Sequence, residues 1–441
     1  TAVCFYGKLP AGSYNVAALK PESLAQEKNF RHNFVVNVFD GGFFGFGMGF
    51  GSLVTVVPLF VSLMTDSAIL IGLIPAIHVV GWQLPQLFTA RHVARQTRYK
   101  PMVMRRTIQE RIPFFGLAVI AWFLPKIGPQ IALGLSFGML VWQGLGGGFT
   151  ATAWQSMVGK IIPGDRWGLF FGFQSAAASL FASGSAIIAG IILERVESPI
   201  NYTICFLLTT LAMAVSWLFL NRTRENDNPP IRVDETSVGY WQRLRQIIYK
   251  DSNFRWFILV RILAQLGTMG FSFYTVFAVR YYGIGEGTAG VLTAVLTIMQ
   301  TAFNPIMGWL GDRWSHRGVM AVGLLAAIAS TTLAWLSPGV GWFYLVFGLA
   351  GIANVAVWTI AMAMTLEYGS EAERPAYIGL ANTLVAPTAF LMPLFGGWLA
   401  DTAGYPTTFM VSAMGGIITF AVLLIFLRDQ TKATYGSNTE R

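Results

Sequence analysis

The chain has 441 residues, of which 54% are hydrophobic and only 12% are charged, and it contains 34 Phe and 14 Trp. A water-soluble protein could bury one long apolar helix, but apolar stretches recur throughout this sequence, so its composition excludes a soluble globular protein. The net charge of +9 does not indicate nucleic-acid binding, because the basic residues are distributed by membrane side rather than gathered in one domain.

The first 33 residues are polar and lack the apolar core of a cleaved signal peptide. We therefore predict that residues 1–33 form a cytoplasmic N-terminal segment and that the first apolar span directs insertion into the membrane.

Twelve apolar segments follow, each long enough for a helix to cross the hydrocarbon core, which takes about 20 residues. Six precede and six follow a charged stretch from Asn221 to Arg255. The predicted spans are 34–62, 69–90, 102–124, 130–158, 168–193, 202–220, 254–281, 287–310, 318–337, 342–366, 376–400 and 406–427. This pattern predicts an all-α integral membrane protein with twelve transmembrane helices in two six-helix halves. The predicted units are an N-terminal bundle (34–220), a cytoplasmic linker (221–253), a C-terminal bundle (254–428) and a cytoplasmic tail (429–441).

Basic residues are concentrated in the loop after span two and at the start of span three. They are Arg91, Arg95, Arg98, Lys100, Arg105 and Arg106. The loops of the other side offer only Lys126, Arg195 and Arg280. Because cytoplasmic loops carry an excess of Lys and Arg, both termini and the linker are predicted to be cytoplasmic, and the protein is expected in the plasma membrane.

Three titratable groups within the first three spans are candidates for proton coupling, which requires a group whose charge changes as the site opens. They are Asp40, His78 and Glu110. Each has a structural alternative: Asp40 begins a row of glycines typical of close helix packing, and His78 needs only one hydrogen-bond partner. Glu110 is flanked by Arg106 and Arg111, which favours an ion pair.

Polar residues recur on one face of spans seven, eight and ten, and lipid cannot satisfy such groups. A substrate cavity is therefore predicted to be lined by Arg261, Gln265, Thr268, Ser272, Thr297, Gln300, Asn304, Asn354 and Trp358. An arginine inside a span is a functional candidate by default. Hydrogen bonds between helices, or a structural pair for Arg261, remain the alternatives.

The loop between spans eight and nine runs from Gly308 to Gly318 and contains Asp312, Arg313 and Arg317. It resembles the G-x-x-x-D-R-x-G-x-R loop of the major facilitator superfamily, a family of secondary transporters built from two six-helix halves. The resemblance implies a gating role for these three residues. Ser315 replaces the usual Gly, and the corresponding first-half loop, 89–98, has no carboxylate. Its gate must therefore be held differently.

A weaker repeat relates the two halves. Asp165-Arg166 with Gly172 begins span five, and Glu373-Arg374 with Gly379 begins span eleven. Duplicated parallel halves imply a central cavity and alternating access by rocking of one bundle against the other.

Gln143-Gly144 matches part of the R-x-x-Q-G motif of proton-coupled drug exporters, but Leu140 replaces its Arg.

These features favour a secondary transporter of a small organic, amphipathic solute, with export preferred because the spans are rich in aromatic residues and Met. Uptake of a small neutral solute and a non-transporting membrane scaffold are the alternatives. The expected partners are a small-molecule substrate, the lipid bilayer and protons. No phosphate-binding loop, metal-ligand spacing or clustered catalytic groups occur in the sequence, so we expect no cofactor, metal or enzymatic activity.

Overall fold

The structure, a computed structural model, describes residues 21–227 and 239–430. Residues 1–20 of the predicted N-terminal segment (1–33), part of the predicted linker (228–238) and most of the predicted tail (431–441) lie outside the described residues.

The first half consists of eight helices that form six membrane crossings. The helices are α1 (Pro21–Phe50), α2 (Val56–Ser62), α3 (Ala68–Gln83), α4 (Gln86–Ala94), α5 (Lys100–Ile127), α6 (Pro129–Ile161), α7 (Trp167–Arg195) and α8 (Ile200–Leu220). The turn between α5 and α6 is a single residue, Gly128, whose φ of 80° favours glycine. Phe60, Phe114 and Phe206 lie in the core of this half.

The second half follows the same plan. Its helices are α9 (Tyr240–Lys250), α10 (Ser252–Gly267), α11 (Tyr274–Tyr282), α12 (Glu286–Arg313), α13 (His316–Leu336), α14 (Trp342–Val355), α15 (Ala361–Leu366), α16 (Arg374–Thr383), α17 (Ala386–Ala403) and α18 (Tyr405–Phe426). A π-helical segment, Ala356–Ile360, joins α14 to α15 in one crossing. Phe254, Phe257 and Tyr368 lie in the core of this half.

Eleven helical segments of the described chain are long and apolar enough to cross a membrane. Helix α1 is not one of them, because Asn33, Asn37, Asp40 and its glycines lower its hydropathy. It nevertheless packs along α7 and α8 and provides the first crossing of its half. The predicted fold class is therefore confirmed.

Two helices extend into regions that the sequence suggests are polar segments. Helix α1 begins at Pro21 rather than near residue 34, and α9 lies inside the predicted linker. On α9, Leu244 and Ile247 are buried in the core of the second half. The Tyr240 hydroxyl donates to Leu87 O of the first half at 2.6 Å. Helix α9 therefore contacts both halves. It does so at the end of the bundle where the linker lies, which is the linker end.

The two halves are in contact at the linker end. Helix α7 packs along α12, and α4 packs along α16. Gly168 of α7 lies against Gly308 of α12, so closely that a side chain at Gly308 would meet the backbone of Gly168. Apolar residues of both halves, including Phe170 and Ile378, share one core cluster there. This packing closes the space between the halves at the linker end.

The opposite ends of the same helices are separated. Gly184 and Gly190 of α7 and Gly290 of α12 have no neighbouring atom within 4 Å of an added side-chain carbon. The exposed side chains of Ile187 and Val291 lie in these same segments. The space between the halves is therefore open at the end opposite to the linker.

Replacing Gly308 with Val should prevent closure of the linker end. The added side chain would collide with the Gly168 backbone in the other half, so each half still folds but the two cannot meet. We expect longer spin-label distances between the halves at the linker end, and loss of any transport. Gly290→Val is the matched control, because it makes the same change in the same helix where space is open. Equal distances in both variants would contradict the prediction.

Candidate functional site

A cavity of about 360 Å³ lies between the halves, mostly within the first half. Helices α1, α3, α5, α6, α7 and the end of α8 form its walls, and the second half contributes Trp358 and Met362. The three residues predicted for proton coupling, Asp40, His78 and Glu110, all line this one cavity although they lie on three different helices. The structure therefore brings together groups that are far apart in sequence.

Asp40 belongs to a buried cluster with Arg111 and Ser216. Arg111 Nη2 lies 3.5 Å from Asp40 Oδ1. The Ser216 hydroxyl donates to Asp40 Oδ1 at 2.6 Å, and Arg111 Nη2 donates to Ser216 Oγ at 2.8 Å. Arg111 also donates to Met213 O at 3.2 Å and to Thr107. Since burial of an unpaired charge is costly, this network explains how two charged groups are held inside the bundle.

Glu110, adjacent to Arg111 in sequence, has a different environment. It is 8% exposed and faces Gly147 of α6, where an added side-chain carbon would lie 2.9 Å from Glu110 Oε1. Arg106, which could have paired with it, donates instead to Phe149 O at 3.1 Å. Among the described residues, none donates a hydrogen bond to the Glu110 carboxyl group, and no cation lies within ion-pair distance of it. It is therefore the acid of the cavity that is available to a ligand.

His78 lines the cavity from α3. Its Nδ1 is 2.9 Å from Gln143 Oε1 of α6, which connects α3 to α6. One such polar contact is enough for a buried histidine with a purely structural role. The His78 ring nevertheless also borders the cavity.

The remaining surface of the cavity is largely aromatic. Trp82, Trp154, Phe44 and Phe171 line it from the first half, and Trp358 from the second. Trp154 and Phe171 contact each other edge to face, with ring centroids 6.0 Å apart. Aromatic faces attract cations and also cover large apolar surfaces of a ligand. Such a lining suits an amphipathic molecule.

The polar stripes of the second half lie elsewhere in this structure, apart from Trp358. Asn304 accepts a hydrogen bond from Thr359 at 2.6 Å and donates to Gln300 O at 2.8 Å. The hydroxyls of Thr268 and Thr297 donate to carbonyls of their own helices. The residues that do not line the cavity are Arg261, Gln265, Thr268, Ser272, Thr297, Gln300, Asn304 and Asn354.

Arg261 of α10 is buried against the end of α16. Its Nη1 donates to Ala381 O and to Asn382 Oδ1, both at 3.0 Å. Asn382 in turn donates to Gln86 Oε1 of the first half at 2.7 Å. Arg261 thus supports an inter-half contact rather than bordering the cavity in this conformation.

We expect Arg261→Ala to lower the stability of the folded protein by about 2–4 kcal/mol, because two buried acceptors lose their charged donor. Thermal unfolding in detergent measures this change. Arg255→Ala, at an exposed position on the same helix, is the control. A ligand affinity that falls without a change in stability would instead place Arg261 in a substrate site.

Asp312, one of the predicted gating residues, makes a contact between the two halves. Its two carboxylate oxygens accept hydrogen bonds from Gly168 N and Leu169 N, at 2.8 and 2.7 Å. These amide groups lie in the first turn of α7 and have no hydrogen-bond acceptor within the helix. The helix dipole also favours an anion at this end. Because α7 and Asp312 belong to different halves, this contact exists only while the linker end is closed.

The bases of the same loop have other roles. Arg313 is exposed and lies 4.8 Å from the Trp309 ring, and Arg317 donates to Leu424 O at 2.8 Å. His316 of the same loop places Nε2 at 3.2 Å from Asp312 Oδ1 and Nδ1 at 2.6 Å from Glu367 Oε1. Of the three predicted gating residues, Asp312 therefore makes the direct contact between halves.

Elsewhere at the linker end, side chains of the second half bond to backbone groups of the first half, and these contacts need no carboxylate in the first-half loop. Thr383 donates to Gln83 O at 3.0 Å and accepts from Leu87 N at 3.1 Å. Arg374, from the predicted repeat, donates to Gly159 O at 3.1 Å across the halves. Hydrogen bonds to backbone groups here replace the acid of the second-half loop.

Comparison with known proteins relates this architecture to a family. The family model described as Major Facilitator Superfamily matches residues 257–441. The tetracycline resistance protein, class B, of Escherichia coli is 26% identical over 151 residues, which are 34% of this chain and 37% of that protein. The vesicular acetylcholine transporter of Mus musculus is 30% identical over 136 residues, 31% of this chain and 26% of that protein. These matches span less than two fifths of either relative.

The fold itself is similar to that of a solved structure over most of the chain. The crystal structure of the Escherichia coli fucose:proton symporter aligns with a TM-score of 0.71 at 14% identity, covering 90% of this chain and 98% of its own. The matched family and relatives are transport proteins, not enzymes.

Proposed function

We propose that this chain, an integral membrane protein with the fold of the major facilitator superfamily, is a secondary transporter of a small amphipathic organic cation. Export in exchange for protons, across the plasma membrane, is the proposed direction. The observation that carries the proposal is the aromatic cavity with an unpartnered carboxyl group, open at one end and closed at the other.

The charge of the cavity favours a cation. Asp40 and Glu110 can contribute two negative charges, and Arg111 contributes one positive charge that is bonded to Asp40 and Ser216. A cationic group next to Glu110 would supply the missing partner, and the surrounding Trp and Phe rings would add cation–π attraction of about 0.5–2 kcal/mol. The apolar part of the ligand would cover the rest of the aromatic wall.

Proton coupling follows from the same carboxyl group. A cation binds the ionised form of Glu110, and when the cation leaves, a proton takes its place, so that the two ligands compete for one site. Asp40 and His78 border the same cavity and are the further candidates for carrying a proton.

Alternating access would use the gate at the linker end. The excess of basic residues in this region supports its cytoplasmic placement, together with both termini, so that the structure corresponds to an outward-facing state. Inward opening then requires separation of Asp312 from α7 and of Thr383 from α3 and α4. The name of the bacterial relative, a tetracycline resistance protein, supports export.

Ligand-dependent thermal stability of the purified protein tests the substrate class. The panel contains amphipathic cations, neutral analogues of the same shape, carboxylates and sugars. Ligand at 100 times its Kd adds about 2.7 kcal/mol to the unfolding free energy. We expect stabilisation by the cations alone. Stabilisation by sugars or carboxylates would contradict the cation proposal, and no shift with any compound would favour a scaffold.

Flux in proteoliposomes tests coupling and direction. With the linker end outside and solute outside, an acidic interior should drive cation uptake into the vesicles, which corresponds to export from a cell. Solute movement in the same direction as protons would instead support an uptake symporter.

A further inference from the structure

A second cavity, of about 660 Å³, lies at the linker end where α5 begins and α8 ends. Its basic lining residues are Arg98, Lys100, Arg105 and Arg224. We propose that this pocket binds the phosphate headgroup of an anionic phospholipid, through Arg105 and Arg224.

Two acidic groups, Glu225 in the pocket and Asp227 close to it in sequence, are already paired within the protein. Glu225 accepts hydrogen bonds from Tyr99 N and Lys100 N, at 2.8 and 2.6 Å, and lies 3.0 Å from Lys160 Nζ. Asp227 is paired with Arg98. The negative charges therefore neutralise groups at the start of α5 and leave a positive excess in the pocket.

Two arginines remain without a carboxylate partner among the described residues. Arg105 is exposed on the first turns of α5. Arg224 is exposed as well, and its guanidinium contacts the Asn29 side-chain oxygen at 3.4 Å. Its backbone is held on both sides by Asn33, which donates to Arg224 O at 2.8 Å and accepts from Arg224 N at 2.8 Å. Arg224 is thus fixed in position while its charge stays available to an anion.

An apolar surface continues from this pocket toward the bilayer, which distinguishes a lipid from a free phosphate. Arg105, Ile108, Ile112 and Phe115 are spaced three or four residues apart on α5, and the last three are 38%, 44% and 51% exposed. At the pocket, the Trp217 indole donates to Met104 O at 3.3 Å. Tryptophan is typical of the membrane interface, so a headgroup in the pocket would place its acyl chains along this stripe.

Lipid binding to the full-length purified protein in phosphatidylcholine nanodiscs tests the proposal. Phosphatidylglycerol is titrated against Arg105→Gln/Arg224→Gln, with Arg195→Gln/Arg280→Gln, two exposed positions at the opposite end, as control. Each interfacial Arg contributes about 1 kcal/mol toward anionic lipid, so the test variant should bind about 30-fold more weakly. The control should bind like the unmodified protein.

Three further outcomes decide the proposal. Unchanged thermal stability of both variants in phosphatidylcholine alone shows that they fold. Equal affinity of the test variant and the unmodified protein for phosphatidylglycerol overturns the site. Inorganic phosphate that binds as tightly as the lipid overturns the lipid assignment, whereas we expect phosphate to bind much more weakly because it lacks acyl chains for the α5 stripe.

Discussion

Glu110→Gln should lower the affinity for a cationic solute at least tenfold and abolish its coupling to protons. The amide has nearly the same shape, so the fold is retained, but it cannot carry the negative charge that pairs with a cation or bind the exchanging proton. Hydrogen bonds to charged groups contribute about 1.5–3 kcal/mol, which corresponds to at least a tenfold change. Proteoliposome flux under an imposed pH gradient measures the loss.

Glu194→Gln provides the matched control, because it makes the same side-chain change at an exposed position at the open end of α7. It should transport like the unmodified protein. If Glu110→Gln still couples flux to the pH gradient, the proton site lies at another group. Asp40→Asn and His78→Gln would then be examined in the same assay.

The second large effect is expected for Asp312→Asn, which should shift the protein toward an open linker end. The amide has one oxygen and no charge, so it cannot match a carboxylate that accepts from both Gly168 N and Leu169 N. A loss of about 2 kcal/mol in the closed state alone changes the ratio of closed to open molecules about 30-fold. Spin-label distances between Thr97 and Trp314 would report this opening.

Asp401→Asn is the control for this experiment, since Asp401 is exposed near the opposite end of α17. Its distance distribution should match that of the unmodified protein. An unchanged distribution for Asp312→Asn would show that the hydrogen bonds of Thr383 and Arg374 to backbone groups hold the linker end closed without the acid.

The site could be predicted only in part, because its residues are selected by helix packing. Asp40, His78 and Glu110 were identifiable as rare titratable groups inside apolar spans. Their convergence on one cavity was not, since it depends on how α1, α3 and α5 rotate against α6 and α7. Arg111 is the group that sequence reasoning missed as a cavity residue, and its position beside Glu110 within an apolar span was the available signal.

The polar stripes of the second half show the opposite case. Arg261 and Asn304 lie on regular helical faces, and the same spacing fits a wet cavity or a helix contact. In the structure, Ala381, Asn382 and Thr359 supply hydrogen-bond partners from neighbouring helices. Periodicity reveals that a face is polar but not what lies opposite to it.

The sequence by itself determined the all-α membrane fold, which is confirmed here, and it predicted two halves and a resemblance to the major facilitator superfamily, whose family model matches residues 257–441. These follow from segment length, hydropathy and a local loop motif, which are properties of contiguous residues. Only the tertiary structure decided which acid is paired and which is free, where the cavity lies and which end is closed. Those outcomes depend on contacts between residues 65 to 300 positions apart, such as His78 with Gln143 and Thr383 with Gln83, and no local pattern specifies such contacts.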